Sequence, residues 1–271
     1  MIIALKIAGL LIIILLIGRI NLSIQFRRKV KVLFLVSKDI SSNIFWYNQL
    51  EGLPEPVQRY FKHVLKEGQP YISYVSLKHD GLFKTGLDKK WIRIKGEQYF
   101  TTEKPGFIWK GSTTWFTACD MYIKGIGRLV VTLLSLFNFL DGKGEQYNQG
   151  ELLRWLGEGV WFPTNFLPDE NKQWSYIDSQ SANLTFNING LLLFFIVTFN
   201  EIGEIIQMDT KRYFDEKNLE TWICKKSNYK EMNNMLVPTA TEAIWKLVKG
   251  DLSYAKFNVT SIKYDKSNYF S

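Results

Sequence analysis

The second half of the sequence is a succession of short strand-like runs separated by turn residues, and this pattern constrains the fold most strongly. Apolar and polar side chains alternate within many of the runs, as they do in half-buried β-strands. The breaks include Asn189-Gly190 and Gly250-Asp251, residue types that tolerate the positive φ of tight β-turns. The runs span residues 172–178, 182–188, 191–199, 204–214, 220–229, 236–247 and 252–264. Together they predict an antiparallel meander.

Four further strand-like runs precede this region, at residues 71–77, 90–101, 106–116 and 119–126. About eleven strands are close to the number at which an open sheet must curl or close. We therefore predict a mainly β (α+β) fold, in which a large, curved, half-barrel-like antiparallel sheet carries a few helices. One helix is predicted after Pro54 and Pro56, where apolar residues recur at helical spacing until Gly68.

Residues 128–140, RLVVTLLSLFNFL, form the most apolar stretch outside the N-terminal region. As a helix this stretch would be too short to cross a bilayer. Burial in the core is the simplest interpretation. The alternative is contact with a membrane or with an apolar ligand.

The N-terminal region predicts a membrane anchor. Residues 1–17 are apolar except for Lys6, and a helix that includes Arg19 and ends near Ile20 or a little beyond is long enough to span the hydrocarbon core. The exit sequence lacks the small-x-small pattern of a signal-peptidase site. We therefore expect an uncleaved, single-pass anchor at residues 1–21 in the cell membrane, with a cleaved signal peptide as the alternative.

The net charge of +8 is concentrated next to this anchor. Residues 1–38 hold seven of the 34 basic residues and no acid, which leaves 27 basic and 26 acidic residues for the remainder. A nearly neutral globular part lacks the basic surface that nucleic-acid binding requires, so we expect no nucleic-acid partner. The positive-inside rule favours a cytoplasmic domain. Alternatively, the basic block contacts anionic head groups of either leaflet, and the side of the membrane stays open.

The domain organisation follows from these observations. Residues 22–52 are predicted to be a basic and aromatic connector, and residues 53–271 a single β-rich globular domain. Cys119 and Cys224 could form a disulfide or remain two buried thiols, and two cysteines are too few to indicate a redox compartment.

The segment 150–168, GELLRWLGEGVWFPTNFLP, lies between the two β-rich halves. It predicts a helix over residues 150–159 that ends near Phe162-Pro163. Glu151, Arg154 and Glu158 share its polar face at i,i+3 and i,i+4 spacing. A buried arginine that fixes the helix to the sheet is one interpretation, and acid–base catalysis by the two glutamates is the other.

In that segment we expect Leu156 and Trp161 to be buried. Arg154 should bind a carboxylate, which Glu151, Glu158 or the sheet would supply. Two glycines inside a helix reduce its stability, so we expect close packing at Gly157 and Gly159.

The sequence resembles a family of uncharacterised bacterial proteins, a domain-of-unknown-function family. The matching motifs are LPEPVQRY at 53–60, FIW at 107–109, DMY at 120–122 followed by Gly125 and Gly127, and GELLRWLGEGVWFPTNFLP itself. Later matches are Gly203-Glu204, Arg212-Tyr213, Pro238 and Tyr264-Asp265. The chain departs from the family pattern at Gly157, Gly159 and Phe166, where Ala, Ala and Leu are expected. The resemblance spans about residues 50–265 and implies no activity.

The strand count also resembles that of the lipoprotein-carrier (LolA-like) half-barrels, an analogy of fold alone. The binding candidates are aromatic or charged residues of the resembling motifs: Trp109, Asp120, Tyr122, Glu151, Arg154, Trp155, Glu158, Trp161 and Tyr213. The sequence contains no metal-ligand spacing, phosphate-binding loop or nucleophile motif, so we expect no metal and no cofactor.

The leading hypothesis is a membrane-anchored binding module for a lipid-like or other apolar ligand, or for an envelope partner. The first alternative is a carboxylate-based hydrolase that uses Glu151, Glu158 and Asp120, although a non-enzymatic role is favoured. The second alternative is a purely structural envelope protein. The sequence gives no indication of the oligomeric state.

Overall fold

The computed structural model describes residues 1–269. The helices are α1 (Ile2–Leu35), α2 (Glu55–Val64) and α3 (Glu145–Gly157), with single 3₁₀ turns at Tyr47–Leu50, Gly159–Trp161 and Pro163–Phe166. The strands of the first half are β1 (Tyr74–Phe83), β2 (Ile92–Thr101), β3 (Gly106–Ser112), β4 (Phe116–Ile123), β5 (Ile126–Leu133) and β6 (Phe137–Lys143). Those of the second half are β7 (Lys172–Asp178), β8 (Ser181–Ile188), β9 (Leu191–Phe199), β10 (Ile205–Tyr213), β11 (Leu219–Met232), β12 (Met235–Leu247) and β13 (Gly250–Tyr264).

All thirteen strands form one antiparallel sheet in the order β6-β5-β4-β3-β2-β1-β13-β12-β11-β10-β9-β8-β7. Each half of the chain is a meander, and the two meanders meet where β1 pairs with β13. The predicted fold class is therefore confirmed. The count is thirteen rather than about eleven because the continuous apolar stretch at 128–140 contributes to both β5 and β6, and it lacks the alternation by which single-faced strands are recognised.

Successive turns of an antiparallel meander fall at alternating ends of the sheet. The registers bring the β1–β2, β3–β4, β5–β6, β10–β11 and β12–β13 turns to one end, which we name the open end. The β2–β3, β4–β5 and β11–β12 turns lie at the opposite end.

The two faces of the sheet carry different elements. On the inner face, the large core contains α2, α3 and the two 3₁₀ turns that follow α3, with Trp155, Phe162 and Phe166 fully buried. Helix α3 begins at Glu145, five residues before the predicted start, and ends at Gly157. A Cβ atom at Gly159 would lie 2.7 Å from the Phe166 ring, which gives the physical reason for glycine at this position.

Helix α1 packs on the outer face with its C-terminal half. A second apolar cluster joins Phe26, Val30, Leu33 and Phe34 of this helix to four side chains of β1–β4: Tyr74, Tyr99, Ile108 and Met121. The helix therefore continues through residue 21, past the predicted anchor and into the predicted connector, because residues 26–34 bury an apolar stripe at helical spacing. Residues 2–17 do not share this contact and are mostly exposed.

The core-burial interpretation of residues 128–140 is wrong for much of this stretch. It forms most of the β5–β6 hairpin, whose apolar side chains are largely exposed, with 64% of Phe137 and 80% of Phe139 accessible. The physical reason is that β6 is an edge strand, which has a neighbouring strand on one side only.

The packing of α1 predicts two different outcomes for N-terminal truncation. Removal of residues 1–20 leaves the outer-face cluster intact and should give a folded domain. Removal of residues 1–35 uncovers Tyr74, Tyr99 and Ile108 and should lower the free energy of unfolding by several kcal/mol, since a buried Val, Leu or Phe contributes about 1.5–3 kcal/mol. Denaturant unfolding of both fragments checks this, and equal stability would contradict it.

Candidate functional site

A cavity of about 800 Å³ lies between α3 and the inner face of the sheet. Its walls are mainly apolar and aromatic, with side chains from both meanders: Phe83, Trp109, Phe116, Trp222, Trp245 and Phe257. The volume lies within the range of about 300–1,000 Å³ that is typical of small-molecule sites. The mouth is at the open end of the sheet, because Leu133 and Phe214 line the cavity beside the β5–β6 and β10–β11 turns.

One wall of the cavity carries five charged side chains that lie close to one another. Helix α3 contributes Glu151 and Arg154, and Glu158 directly follows its last residue; β4 contributes Asp120, and β10 contributes Arg212. The side chains of these residues are only 4–15% exposed. We name this group the charged cluster.

Arg154 is the centre of the charged cluster. Its Nε donates to Glu158 Oε1 at 3.1 Å, and its Nη1 donates to Asp120 Oδ2 on the sheet. The guanidinium carbon lies 4.7 Å from the centroid of the Trp109 ring, and Trp109 pairs directly with Asp120 in the β3–β4 register. The predicted carboxylate partner of Arg154 is confirmed, as is the burial of Leu156 and Trp161.

Arg212 is held in a similar way from the other half of the sheet. Its guanidinium carbon lies 4.6 Å from the Trp222 ring centroid, and its Nη2 is 3.5 Å from Glu151 Oε1. A Cβ atom at residue 150 would lie 3.1 Å from Arg212 Nε, so Gly150 makes room for this side chain. Glu151 therefore pairs with Arg212 of the sheet rather than with Arg154 of its own helix.

Burial shifts the protonation equilibria in the cluster. Desolvation, together with the neighbouring Asp120, raises the pKa of Glu151 to about 8. Burial also raises the pKa of Asp120, although Arg154 and Arg212 offset part of this effect. For Arg154, desolvation acts to lower the pKa, but Glu158, Asp120 and Glu151 together raise it. At neutral pH Glu151 is therefore protonated, whereas the Arg154 guanidinium keeps its charge.

Three polar atoms of the cluster are buried without a hydrogen-bond partner: Asp120 Oδ1, Glu151 Oε2 and Arg212 Nε. Such atoms are costly in an apolar environment unless a water molecule or ligand satisfies them. The wall thus has unused capacity both to accept and to donate hydrogen bonds to a molecule in the cavity.

A buried histidine supports the Trp109 side of the site. Trp109 Nε1 donates to His79 Nε2 at 2.7 Å, and the imidazole stacks on Phe257 with ring centroids 4.2 Å apart. Burial lowers the pKa of His79 to about 3, so the imidazole is neutral and accepts this hydrogen bond. Gly96 is required beneath it, because a Cβ atom there would lie 2.0 Å from His79 Nε2.

Seven of the nine candidate residues line the cavity: Trp109, Asp120, Glu151, Arg154, Glu158, Trp161 and Tyr213. The other two, Tyr122 and Trp155, belong to the core, where Trp155 Nε1 donates to the carbonyl of Thr101 at 2.9 Å. Both are buried because they occupy positions that face the packed interior rather than the cavity.

The sequence argument missed two cationic residues of the site. Arg212 belonged to a matched motif but had no visible partner in the sequence. Lys226 is 4% exposed and lines the cavity, and strand alternation places it on the same face as Trp222 and Cys224, which was a usable signal. Cys224 and Cys119 are free thiols. Within residues 1–269 no group of three His, Cys, Asp or Glu side chains is arranged to hold a metal ion.

Residues 43–257 match the model of a family of unknown function, DUF6544. The chain belongs to this family. The resemblance inferred from the motifs is thereby confirmed at the level of an uncharacterised family. No curated protein matches this DUF6544 chain in sequence.

Solved structures similar to this DUF6544 chain include a LolA superfamily protein from Nitrosomonas europaea, at 10% identity and a TM-score of 0.38. That match covers 78% of this chain and 92% of the other. A DUF1329 family protein from Desulfovibrio piger is similar at 11% identity and a TM-score of 0.37, over 72% of this chain and 86% of the other. At this level the similarity concerns the fold, so the function of the DUF6544 chain has to be inferred from its own residues.

Arg154→Ala should lower the free energy of unfolding by about 3–5 kcal/mol, because it leaves Asp120 and Glu158 buried without their counter-charge. The matched control is Arg128→Ala, which removes a half-exposed pair with Asp141 and should cost about 0–1 kcal/mol. Denaturant unfolding of the chain lacking residues 1–20 measures both. Equal losses would mean that the cluster is solvated.

Glu151→Gln should change how stability depends on pH. Between about 4.5 and about 8, the native state retains a proton on Glu151 that the unfolded state releases, so this group makes the protein less stable as the pH rises. Glutamine does not titrate, so the variant should not show this loss of stability with rising pH. The difference in free energy of unfolding between variant and parent should therefore shift in favour of the variant towards pH 8.

Unfolding curves across that pH interval check this expectation. Glu145→Gln, in the exposed first turn of α3, is the matched control and should follow the parent. A parallel decline in parent and Glu151→Gln would show that Glu151 is ionised in the native state at neutral pH.

Proposed function

We propose that the protein is a membrane-anchored binding module for an amphiphilic, lipid-like molecule. The observation that carries this proposal is an apolar cavity of about 800 Å³ with a buried charged cluster on one wall. The apolar part of the ligand lies against the aromatic inner face of the sheet. Its polar end contacts the charged cluster.

The chemistry of the wall defines the polar end of the ligand. Asp120 Oδ1 and Glu151 Oε2 offer oxygens, and Arg212 Nε offers an N–H, none of which has a partner within the protein. A protonated Glu151 can also donate a hydrogen bond. Hydroxyl, amide and zwitterionic groups can use these oxygens and this N–H, so we expect a polar end of that kind.

The anchor part of the proposal rests on the N-terminal half of α1. Within the described residues 1–269, α1 is the one helix long and apolar enough to cross a membrane, a property that a signal sequence shares. We assign the crossing to residues 1–21 because the rest of α1 packs on the domain. The domain boundaries at 22–52 and 53–271 are part of this proposal, with α1 as a single helix that joins the anchor to the outer face of the sheet.

Acid catalysis is a second candidate function, favoured by one observation. Glu151 has a pKa raised to about 8 by burial and by Asp120, and an unpartnered oxygen, which is the state of a general acid at neutral pH. On this alternative Glu151 would protonate a leaving group, while Asp120 or Glu158 would act as base. Both of those carboxylates form ion pairs with Arg154, an arrangement that favours the binding role.

The binding proposal is tested with the full-length protein, extracted in mild detergent and analysed by native mass spectrometry and lipid extraction. The parent should carry a bound amphiphile. Ala243→Trp places a large ring in the cavity from β12 and should abolish or strongly reduce this adduct. The matched control, Ala240→Trp, changes a residue of the same strand that the alternation places on the outer face, and should retain the adduct.

Several results would contradict the proposal. A parent that remains empty across preparations, or an adduct equally present in both variants, would exclude the cavity as the binding site. If the parent protein carries no amphiphile but co-purifies with one other protein in detergent, the result would favour the envelope-partner or structural alternative. A bound molecule that changes mass in the parent but not in Glu151→Gln would indicate catalysis.

A further inference from the structure

We infer that the β5–β6 turn and the neighbouring β3–β4 turn form a membrane-inserting tip that seats the cavity mouth on the bilayer. The apolar tip consists of Trp115, Leu133, Leu134, Leu136 and Phe137. This inference rests on the anchor part of the proposed function, and it identifies the occupant of the exposed surface as lipid.

The apolar tip is a contiguous exposed surface. Trp115 is 66% and Phe137 64% exposed, and the three leucines are 38–42% exposed. The two turns are joined because the Leu134 N–H donates to the carbonyl of Trp115 at 2.8 Å. Grouped apolar side chains of this kind are rare on a monomer surface that faces only water, and they mark protein or membrane contacts.

The path of α1 connects the tip to the anchor. Along β3, Leu33 packs beside Gly106, and the Phe26 ring lies 4.5 Å from Lys110 Nζ. The helix then passes the open end of the sheet, where Gly18 contacts the tip. A Cβ atom at Gly18 would lie 2.5 Å from the carbonyl oxygen of Ser135 and 2.7 Å from a methyl carbon of Leu136, so only glycine permits this contact.

The apolar part of α1 leads directly to this contact. Residues 2–17 are apolar except for Lys6 and extend about 24 Å at 1.5 Å per residue. A membrane that surrounds this part of the helix as far as Gly18 also surrounds the tip in contact with Gly18, and both then lie at the depth of the hydrocarbon.

The backbone of the tip is compatible with this depth. In hydrocarbon an unpaired amide is costly. Besides the bond from Leu134, the Leu136 N–H donates to the carbonyl of Leu133 at 3.0 Å. These two amides therefore enter the membrane already hydrogen-bonded, and the residues that carry them, Leu134 and Leu136, are apolar.

This position has a consequence for the cavity. Leu133 is part of both the apolar tip and the cavity lining, and Phe139, 80% exposed on β6, also lines the cavity. A continuous apolar surface thus leads from the tip into the mouth. The ligand class that can follow this path without crossing water is a lipid of the membrane that holds the anchor.

The test uses the full chain in nanodiscs of three parts phosphatidylcholine to one part phosphatidylglycerol. Cysteines for an environment-sensitive nitrobenzoxadiazole label are introduced as Leu136→Cys and Phe137→Cys in the tip, and as Ile12→Cys in the anchor. The matched control is Ile126→Cys, which is 61% exposed at the opposite end of the sheet. Wild-type protein, labelled in parallel, gives the background from Cys119 and Cys224.

We expect labels at residues 12, 136 and 137 to lose most of their emission to nitroxide-labelled lipid and little to aqueous iodide, with the reverse at residue 126. If residues 136 and 137 behave like residue 126 while residue 12 is quenched by lipid, the tip inference is wrong and the anchor stands. If iodide also quenches residue 12, the anchor fails and the tip inference fails with it. The ligand in the cavity is measured separately by mass spectrometry.

Discussion

The ion-pair contacts of Arg154 join the helix and the sheet across the edge of the cavity, and the rest of the site depends on them. Arg154 binds Glu158, which directly follows its own helix, and Asp120 on β4, and it packs over Trp109. Buried charges of this kind contribute little net stability, because desolvation offsets their attraction, but the loss of one partner is strongly destabilising. Their effect is to hold the C-terminal part of α3 at one distance from the sheet, which keeps the space beside it open.

That open space has an energetic cost. Interiors are normally packed to the density of organic crystals, and each unpartnered buried polar atom adds a desolvation penalty. Because Asp120 Oδ1 and Arg212 Nε are unsatisfied, the folded domain is less stable when the cavity is empty than when it is filled. A ligand that binds only the native state stabilises it by mass action, so occupancy and stability of this domain are coupled.

The sequence predicted most of the fold and part of the site, for different physical reasons. Period-two alternation and turn residues such as Asn189-Gly190 are local signals, so the second meander followed from them almost strand by strand. Residues 128–140 are apolar on both faces, and this composition does not distinguish a core segment from an exposed hairpin. Within the site, helical spacing predicted that Glu151, Arg154 and Glu158 lie together. The pairing of Glu151 with Arg212 depends on a contact between distant elements that no local pattern encodes.

The pairing of β1 with β13 also affects the order in which the chain can fold. Every other ladder of the sheet joins strands that follow one another in sequence, whereas Val75 must find Tyr264 near the opposite end of the domain. Each meander can form from local hairpins as it is synthesised, but the seam at the centre of the sheet closes only after the last strand is available. Until then, two strand edges remain unpaired on a chain whose first helix is already complete. That interval is therefore the one in which the unpaired edges are most prone to mispairing with strands of other chains.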